Sequence, residues 1–454
     1  MINLSFIRNE LSGDSIAVFG LGISGLASVE ACVKSGIKTL AWDDNETQRD
    51  KAKALGADIY DMSQGFPDGV NTLILAPGVP LTHPKPHPVV LAAQKQGIEI
   101  LSDIELLARA TPDVLKIGIT GTNGKSTTTA LIGHLLKKAG KTVAIGGNLG
   151  MAALSLPHLD KNSIYVLELS SYQLDLCPRF KPDISILLNI TPDHLDRHGG
   201  MEGYVQAKSK IFGDHTKAFI SLDDEYCLNI FENISCKAKT SFSVQGDADL
   251  CITGKLPFNI DSFNALKGSH NYQNILAAYG VCKDVGLTDT DIENGLNTFP
   301  GLEHRQKTVR QIGRIAFVND SKATNDEATA KALSSFENIF WIVGGLEKSK
   351  TYPACQAFLN RVHTAYVIGE DTNNLCTYLE QNQTPYIQCH TLDTAVTHAY
   401  EDASKIPAQT TVLLSPAAAS FDQFQSFEKR GDHFISCVKN LPDDTNQDTI
   451  KNGA

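Results

Sequence analysis

The segment Gly121-Thr122-Asn123-Gly124-Lys125-Ser126-Thr127 places two glycines, a lysine and three hydroxyls within seven residues. Backbone N–H groups left unpaired at the start of a helix face one point, and the positive end of the helix dipole reinforces them. A lysine here sets a charge on the outer phosphates of a nucleotide, and the next serine offers a hydroxyl to Mg²⁺. The strict nucleotide-loop spacing is not met, because the residue five before Gly124 is Ile119 rather than glycine. The shorter pattern still predicts binding of a nucleoside triphosphate. Such a cradle needs a strand before it and a helix after it. The apolar run 115–119 and the spacing of Ala130, Leu131, Leu135 and Leu136 provide both.

A second glycine cluster, Gly20-Leu21-Gly22-Ile23-Ser24-Gly25, follows the apolar run 15–19 and precedes a helix that reaches Lys34. Asp43 and Asp44 end the next strand-like run, at roughly the 20-residue distance of a dinucleotide fingerprint. Alone, this spacing points to NAD. The glycines establish only a close backbone approach to a diphosphate, so the pattern marks a pyrophosphate site and leaves the nucleotide open.

Charged groups close several other apolar runs. Glu168 follows 164–167, and Asp193-His194 follows 184–190. The C-terminal ends of strands in an open α/β sheet converge on the ligand crevice, so these groups can stand beside the phosphate loop. A carboxylate there suits Mg²⁺, and a neutral imidazole can also ligate a metal. His194 reads equally well as a ligand or as an ordinary loop histidine. Lys208, in a helical stretch over 202–212, cannot be told from Lys210 by its neighbours. Farther on, Glu303-His304-Arg305, Asn319-Asp320-Ser321-Lys322-Ala323-Thr324-Asn325, Gly344-Gly345-Leu346-Glu347-Lys348 and the stretch 415–424 supply Arg305, Lys322, Lys348 and Ser420 to one rim. Cations and a helix start at one edge hold carboxylates and developing phosphoryl charge.

The elements that must position these groups alternate strand and helix in three blocks. We expect an α/β protein with mostly parallel sheets, divided into 1–110, 111–301 and 302–454. At 454 residues, 42% hydrophobic and 20% charged, the composition is that of an ordinary globular chain. The net charge of −11 speaks against a general nucleic-acid binder. Ten cysteines without a Cys-x-x-Cys pair fit reduced thiols better than a disulfide scaffold or zinc site. No basic stretch leading into an apolar signal core opens the chain, and no apolar run is long enough for a membrane span, which together predict a cytoplasmic protein.

Taken together, the motifs resemble the Mur ligase family of ATP-dependent, amide-forming ligases. The shared signatures are the phosphate loop, Glu168-Leu-Ser-Ser, Asp193-His194-Leu-Asp196, His270-Asn271-Tyr-Gln-Asn274, Glu303-His304-Arg305 and Asn319 to Asn325. The stretch 415–431, with Ser-Pro-Ala-x-Ala-Ser-x-Asp-x-Phe running into Phe-x-x-Arg-Gly, is similar to the branch that adds D-glutamate. The resemblance implies three domains, a Rossmann-like one, a central P-loop ATPase and a second Rossmann-like one, and ligation of D-glutamate to UDP-N-acetylmuramoyl-L-alanine; we expect a monomer with no nucleic-acid or membrane partner. It implies ATP contacts at 121–127, with Asn274, Arg305 and Asp320 around adenine and ribose. Gly22, Ser24, Gly25, Asp43, Pro77, Gly78, Asn148 and His194 match contacts to the UDP substrate. Lys322, Thr324, Lys348, Ser420 and Phe427 match contacts to D-glutamate. Two Mg²⁺ sites are implied, one around Ser126 and Glu168, the other through His194 and a carbamylated Lys208. Lys125, Glu168, His194 and Lys208 are the implied catalytic set. Phe421, where leucine is common, and Leu346-Glu347 depart from the pattern. A sister folylpolyglutamate synthase shares the loop but lacks a separate domain before it, and a nicotinamide dehydrogenase leaves the Gly-Lys-Ser-Thr loop without a role.

Overall fold

Apolar runs of four to seven residues, each buried on both faces, become the central strands of three sheets covered by helices. The structure is a computed structural model that describes residues 1–442 apart from 9, 12, 253–255, 267, 269 and 348–350. Its residues divide into two compact units, Met1–Phe299 and Pro300–Ala454.

The first unit holds two sheets. One contains β1 (Ser15–Phe19), β2 (Thr39–Trp42), β3 (Asp58–Ile59), β4 (Val70–Leu75) and β5 (Glu99–Leu101), all parallel, in the order β3-β2-β1-β4-β5. The other contains β6 (Leu115–Thr120), β7 (Val143–Gly147), β8 (Ile164–Glu168), β9 (Ile184–Leu187), β10 (Lys217–Ser221), β11 (Ala238–Ser243) and β12 (Leu250–Cys251). These too are parallel, in the order β12-β11-β10-β9-β6-β8-β7. One hydrophobic cluster joins Val18 and Ile74 of the first sheet to Leu167 and Leu187 of the second, with Leu154 from the turn between β7 and β8. Each such side chain, fully withdrawn from water, contributes about 1.5–3 kcal/mol. Backbone bonds cross the same seam, from Ile2 N to Leu154 O and from Ser102 N to Leu176 O.

The second unit is a six-stranded sheet of β13 (Lys307–Ile312), β14 (Ile315–Asn319), β15 (Ile339–Gly344), β16 (Val362–Ile368), β17 (Tyr386–His390) and β18 (Thr410–Leu414). Its order is β13-β14-β18-β15-β16-β17, and β13 alone is antiparallel. The expected helix over 202–212 is shorter, Met201–Ser209, and the expected helix start at Ser102 is a cap whose Oγ accepts from Glu105 N. No helix among the described residues is long and apolar enough to cross a membrane.

Candidate active site

β6 lies between β9 and β8: the chain leaves β6 for β7 on one side and later crosses from β8 to β9 on the other, which opens a crevice beyond the C-terminal end of β6. The phosphate loop fills that end, running from β6 into the helix Lys125–Lys138. Gly124 takes φ +85°, and a Cβ there would stand 2.3 Å from Asn274 Oδ1, so no other residue fits. Lys125 curls back on its own loop, donating to the carbonyls of Gly121 and Thr122 at 2.8 Å each. Ser126 is buried in the first turn of the helix. Asn274 is buried as well, accepting from Thr128 Oγ1 at 3.1 Å and donating to Asn271 Oδ1 at 3.0 Å. It therefore braces the loop helix from below.

Asn189, two residues past β9, was not among the residues singled out by sequence. Its Oδ1 accepts from Asn123 N at 2.8 Å, its Nδ2 donates to Asn123 O at 3.1 Å, and its carbonyl accepts from Thr122 N at 2.8 Å. The same Nδ2 donates to Gln273 Oε1 at 2.7 Å, and Gln273 Nε2 donates to Ser221 Oγ and Asp223 Oδ2, both at 2.9 Å. A chain of amides thus fixes the loop to the ends of β9 and β10. Its one sequence trace was the Gln of the His270-Asn271-Tyr-Gln-Asn274 signature.

Glu168 ends β8, beside β6, and is 2% exposed. Its Oε1 accepts from Asn148 Nδ2 at 2.8 Å, while its carbonyl accepts from Asn148 N at 2.9 Å. Its Oε2 is buried with no hydrogen-bond partner. A buried, unpartnered carboxylate oxygen is costly unless something positive takes its lone pairs. A hard divalent cation bound through oxygen answers that need, so the Glu168 carboxylate and the Ser126 hydroxyl fit Mg²⁺ by donor type.

His194 stands in the left-handed region at φ +53° and caps the short helix Leu195–His198. Its Nε2 lies 3.5 Å from Asp193 Oδ2 and its ring 5.2 Å from that of Tyr172. Partial burial, with help from the charges of Lys125 and Lys208, lowers its pKa below the ordinary histidine value and keeps the imidazole available as a ligand. Lys208 and Lys210, alike in sequence, are unlike in space. Lys208 is 1% exposed, donates to Gly121 O at 2.8 Å and sits 4.5 Å from the centroid of the Tyr204 ring. Burial first, and the charge of Lys125 second, hold it well below the usual lysine range. Lys210 is half-exposed and pairs with Asp175 at 2.7 Å.

At the first sheet, Gly22 caps the helix Ile23–Lys34. A Cβ on Gly25 would lie 1.9 Å from Gly20 O, so this glycine permits the helix to pack onto the strand. Both oxygens of Asp43 serve backbone: Oδ2 accepts from Leu21 N at 2.6 Å and Oδ1 from Asn45 N at 2.9 Å. Asp43 therefore holds the glycine loop in shape. Ser24 lies on the helix after that loop, and Pro77 and Gly78 follow β4, the neighbour of β1 on the other side of the switch point.

In the second unit the motif ends gather at β14, β18 and β15, which are neighbours. Asp320 is buried, its Oδ2 accepting from Ser415 Oγ at 2.8 Å and its Oδ1 from Gln306 N at 3.2 Å. Burial pushes its carboxyl up to about 7, against the pull of those bonds and of the Arg305 charge. Lys322 N donates to His304 O, and its ammonium lies 5.2 Å from the centroid of the Phe427 ring. Thr324 is partly exposed and Ser420 buried. Lys348 lies outside the described residues. Arg430, given no role by the sequence reading, ties this rim together. Its guanidinium donates to Ser321 Oγ at 3.1 Å, Ser321 O at 2.9 Å, Ala418 O at 3.1 Å and Ala419 O at 3.3 Å. The arginine of Phe-x-x-Arg-Gly was its signal. Of the departures noted in sequence, Phe421 is 70% and Leu346 50% exposed, so both are surface residues, while Glu347 accepts from Leu375 N and Asn374 Nδ2.

The chain is similar to known proteins over most of its length. A model of the Mur ligase middle domain matches residues 119–282. The UDP-N-acetylmuramoylalanine–D-glutamate ligase of Caulobacter sp. (strain K31) is 43% identical, over 94% of this chain and 97% of that protein. The enzyme of the same name from Brucella abortus (strain 2308) is also 43% identical, over 95% of this chain and 97% of its own length. Among solved structures, MurF from Acinetobacter baumannii superposes with a TM-score of 0.59 at 18% identity, covering 92% of this chain and 93% of that one. UDP-N-acetylmuramate-alanine ligase MurC from Thermotoga maritima gives 0.58 at 17% identity, covering 94% and 99%. At these identities the structures establish a shared multi-domain α/β fold.

Proposed function

The chain belongs to the Mur ligase family, within it to the UDP-N-acetylmuramoylalanine–D-glutamate ligases, and from that membership we propose how its own residues carry the reaction. The activity is ATP-dependent joining of D-glutamate to UDP-N-acetylmuramoyl-L-alanine in peptidoglycan precursor synthesis. The carboxylate of the UDP substrate attacks the γ-phosphate of ATP, forming an acyl phosphate and releasing ADP. The amine of D-glutamate then attacks the acyl carbon, and phosphate leaves.

The phosphate loop, residues 121–127, receives the ATP phosphates on its backbone N–H groups, and Lys125 leaves its own loop carbonyls to meet the phosphate charge. Bound Mg²⁺ would neutralise charge on the phosphoryl oxygens. The unpartnered Oε2 of Glu168 carries this assignment: with Ser126 it would hold one ion, and His194 with a carbamylated Lys208 the other. Asn148 fixes the Glu168 carboxylate and faces the UDP substrate together with His194. Gly22, Ser24, Gly25, Pro77 and Gly78 take the UDP group, on a loop shaped by Asp43. Asn274 supports the adenine side from beneath the loop, and Arg305 with Asp320 serves the ribose. Lys322, Thr324, Lys348, Ser420 and Phe427 take D-glutamate.

We read 1–110 as the UDP-sugar-binding domain, 111–301 as the ATP-binding domain and 302–454 as the amino-acid-binding domain. We place the reaction in the cytoplasm and read the chain as a monomer without nucleic-acid or membrane partners. ADP release coupled to a reporter, with UDP-N-acetylmuramoyl-L-alanine present and D-glutamate added or withheld, tests the whole reading. Strict dependence on D-glutamate is expected, and equal release without it would overturn the assignment of the amino acid.

A further inference from the structure

Asp393, His433 and Cys437, none of them used above, bring a carboxylate oxygen, an imidazole nitrogen and a sulfur within 4.8 Å of one another. His433 and Cys437 stand four apart on the helix Phe427–Lys439 and so share one face. Asp393 is the second residue of the helix Leu392–Ser404. His433 Nε2 lies 2.7 Å from Asp393 Oδ2, and the Cys437 thiol donates to Oδ1 at 3.5 Å. All three are at least partly open to solvent, so an ion can reach them. The sequence offered no Cys-x-x-Cys pair, and only the packing of two helices assembles this set.

We propose that Asp393, His433 and Cys437 form a binding site for Zn²⁺ that staples the two helices together. Imidazole, thiolate and carboxylate are the donors that Zn²⁺ takes in tetrahedral sites, and three protein ligands leave the fourth position to water. Two ligands four residues apart on one helix and a third from another element is a recurrent way to hold this ion. On binding, the thiol proton passes to solvent, and the hydrogen bonds to Asp393 give way to three bonds to the metal. Carboxylate and thiolate then balance the two charges of the ion. The stapled helix begins at Phe427, whose carbonyl accepts from Ser321 Oγ at 2.8 Å, so the metal steadies the helix that carries one edge of the rim.

Co²⁺ is the probe, added to the metal-free full-length chain as a spectroscopic stand-in for Zn²⁺. One equivalent is expected to give a near-ultraviolet thiolate-to-cobalt charge-transfer band that Zn²⁺ displaces. Cys437→Ser is expected to abolish the band, and His433→Ala to weaken affinity at least about tenfold, the scale on which even outer partners of metal ligands matter. Cys236→Ser, at the other cysteine that is not buried, is expected to leave it intact. No band in the wild type, or an undiminished band in Cys437→Ser, would overturn the site. Alkylation of the wild type avoids any folding defect in the variants. Zn²⁺ is expected to protect Cys437 and to leave Cys236 as reactive as before, and equal protection of both, or of neither, counts against the proposal.

Discussion

Lys125 and Lys208 donate to the same atom, the carbonyl oxygen of Gly121, each at 2.8 Å. Two ammonium groups at one acceptor repel each other, and burial of Lys208 adds a larger penalty on its charge. Both effects favour the neutral amine, the form whose lone pair adds to CO₂. In that addition an N–C bond forms and a proton leaves to solvent, and the lysine becomes an anion. Lys125 would then stand opposite a carbamate, and repulsion would become attraction. The pair gives a physical reason for the carbamylation proposed at Lys208.

Lys208→Ala is accordingly expected to lose nearly all ADP release. Bicarbonate is not expected to restore it, whereas a small carboxylate that fills the vacated space is expected to do so in part. Lys210→Ala removes only a half-exposed ion pair and is expected to cost no more than about 1 kcal/mol in stability, with activity close to wild type. A sensitive Lys210 and a tolerant Lys208 would place the second metal site elsewhere.

Lys125→Ala removes the charge that the loop backbone cannot replace. Turnover is expected to fall on the order of 10²-fold or more, because a preorganised partner of the transition-state charge is gone. The variant also loses two bonds from Lys125 to the loop carbonyls, so its melting temperature is read alongside. Near-normal turnover would remove the phosphate-loop assignment.

Glu168→Gln separates metal binding from fold. The amide keeps an oxygen for Asn148 and loses the charge on a buried group whose second oxygen has no partner. Folding stability is expected to hold or rise, since an unpaired buried carboxylate is a cost. The Mg²⁺ concentration needed for half-maximal activity is expected to rise at least about tenfold. Unchanged Mg²⁺ dependence would take Glu168 out of the ligand set.

Sequence revealed the strands that are buried on both faces, because burial demands an unbroken apolar run: β1, β6, β8 and β15 all read clearly. It concealed β13, whose Lys-Thr-Val-Arg-Gln-Ile is polar at four of six positions because an edge strand faces water. It concealed β3 and β12, two residues each, which leave too little pattern to register. The site divides in the same way. Gly121 to Thr127 is legible because one loop contains all its chemistry. The difference between Lys208 and Lys210 is not, because it comes from docking a helix against a carbonyl 87 residues earlier in the chain. The loop-bracing role of Asn189 and the rim-tying role of Arg430 are hidden for the same reason: their partners are set by tertiary packing.

The UDP assignment of Gly20 to Gly25 is open to a direct test. If the glycine loop takes the UDP group, UDP-N-acetylmuramoyl-L-alanine is expected to raise the melting temperature by mass action, and NADH to leave it unchanged. Asp43→Ala is expected to diminish that shift, since it releases the bond from Leu21 N that shapes the loop. A shift with NADH alone would restore the dehydrogenase reading.

Asp320 makes the second unit sensitive to pH in a direction opposite to most acidic residues. Its folded pKa, about 7, lies above the value of roughly 3.9 for an unfolded aspartate. Between those values the folded carboxyl keeps a proton that the unfolded chain has lost. The stability it contributes is therefore complete below the unfolded pKa and disappears as pH rises through the folded one. The denaturant midpoint of the full chain is expected to fall between about pH 4 and about pH 7 in part on this account. Asp320→Asn keeps the uncharged shape and cannot ionise, so it is expected to lose that part of the slope and to gain on the wild type at the higher pH. Asp103, raised by burial to about 6, adds a slope of the same sign from the first unit and remains in the variant as an internal control. Identical pH profiles for wild type and Asp320→Asn would mean that Arg305 and the Ser415 hydroxyl hold the carboxylate ionised in the folded protein.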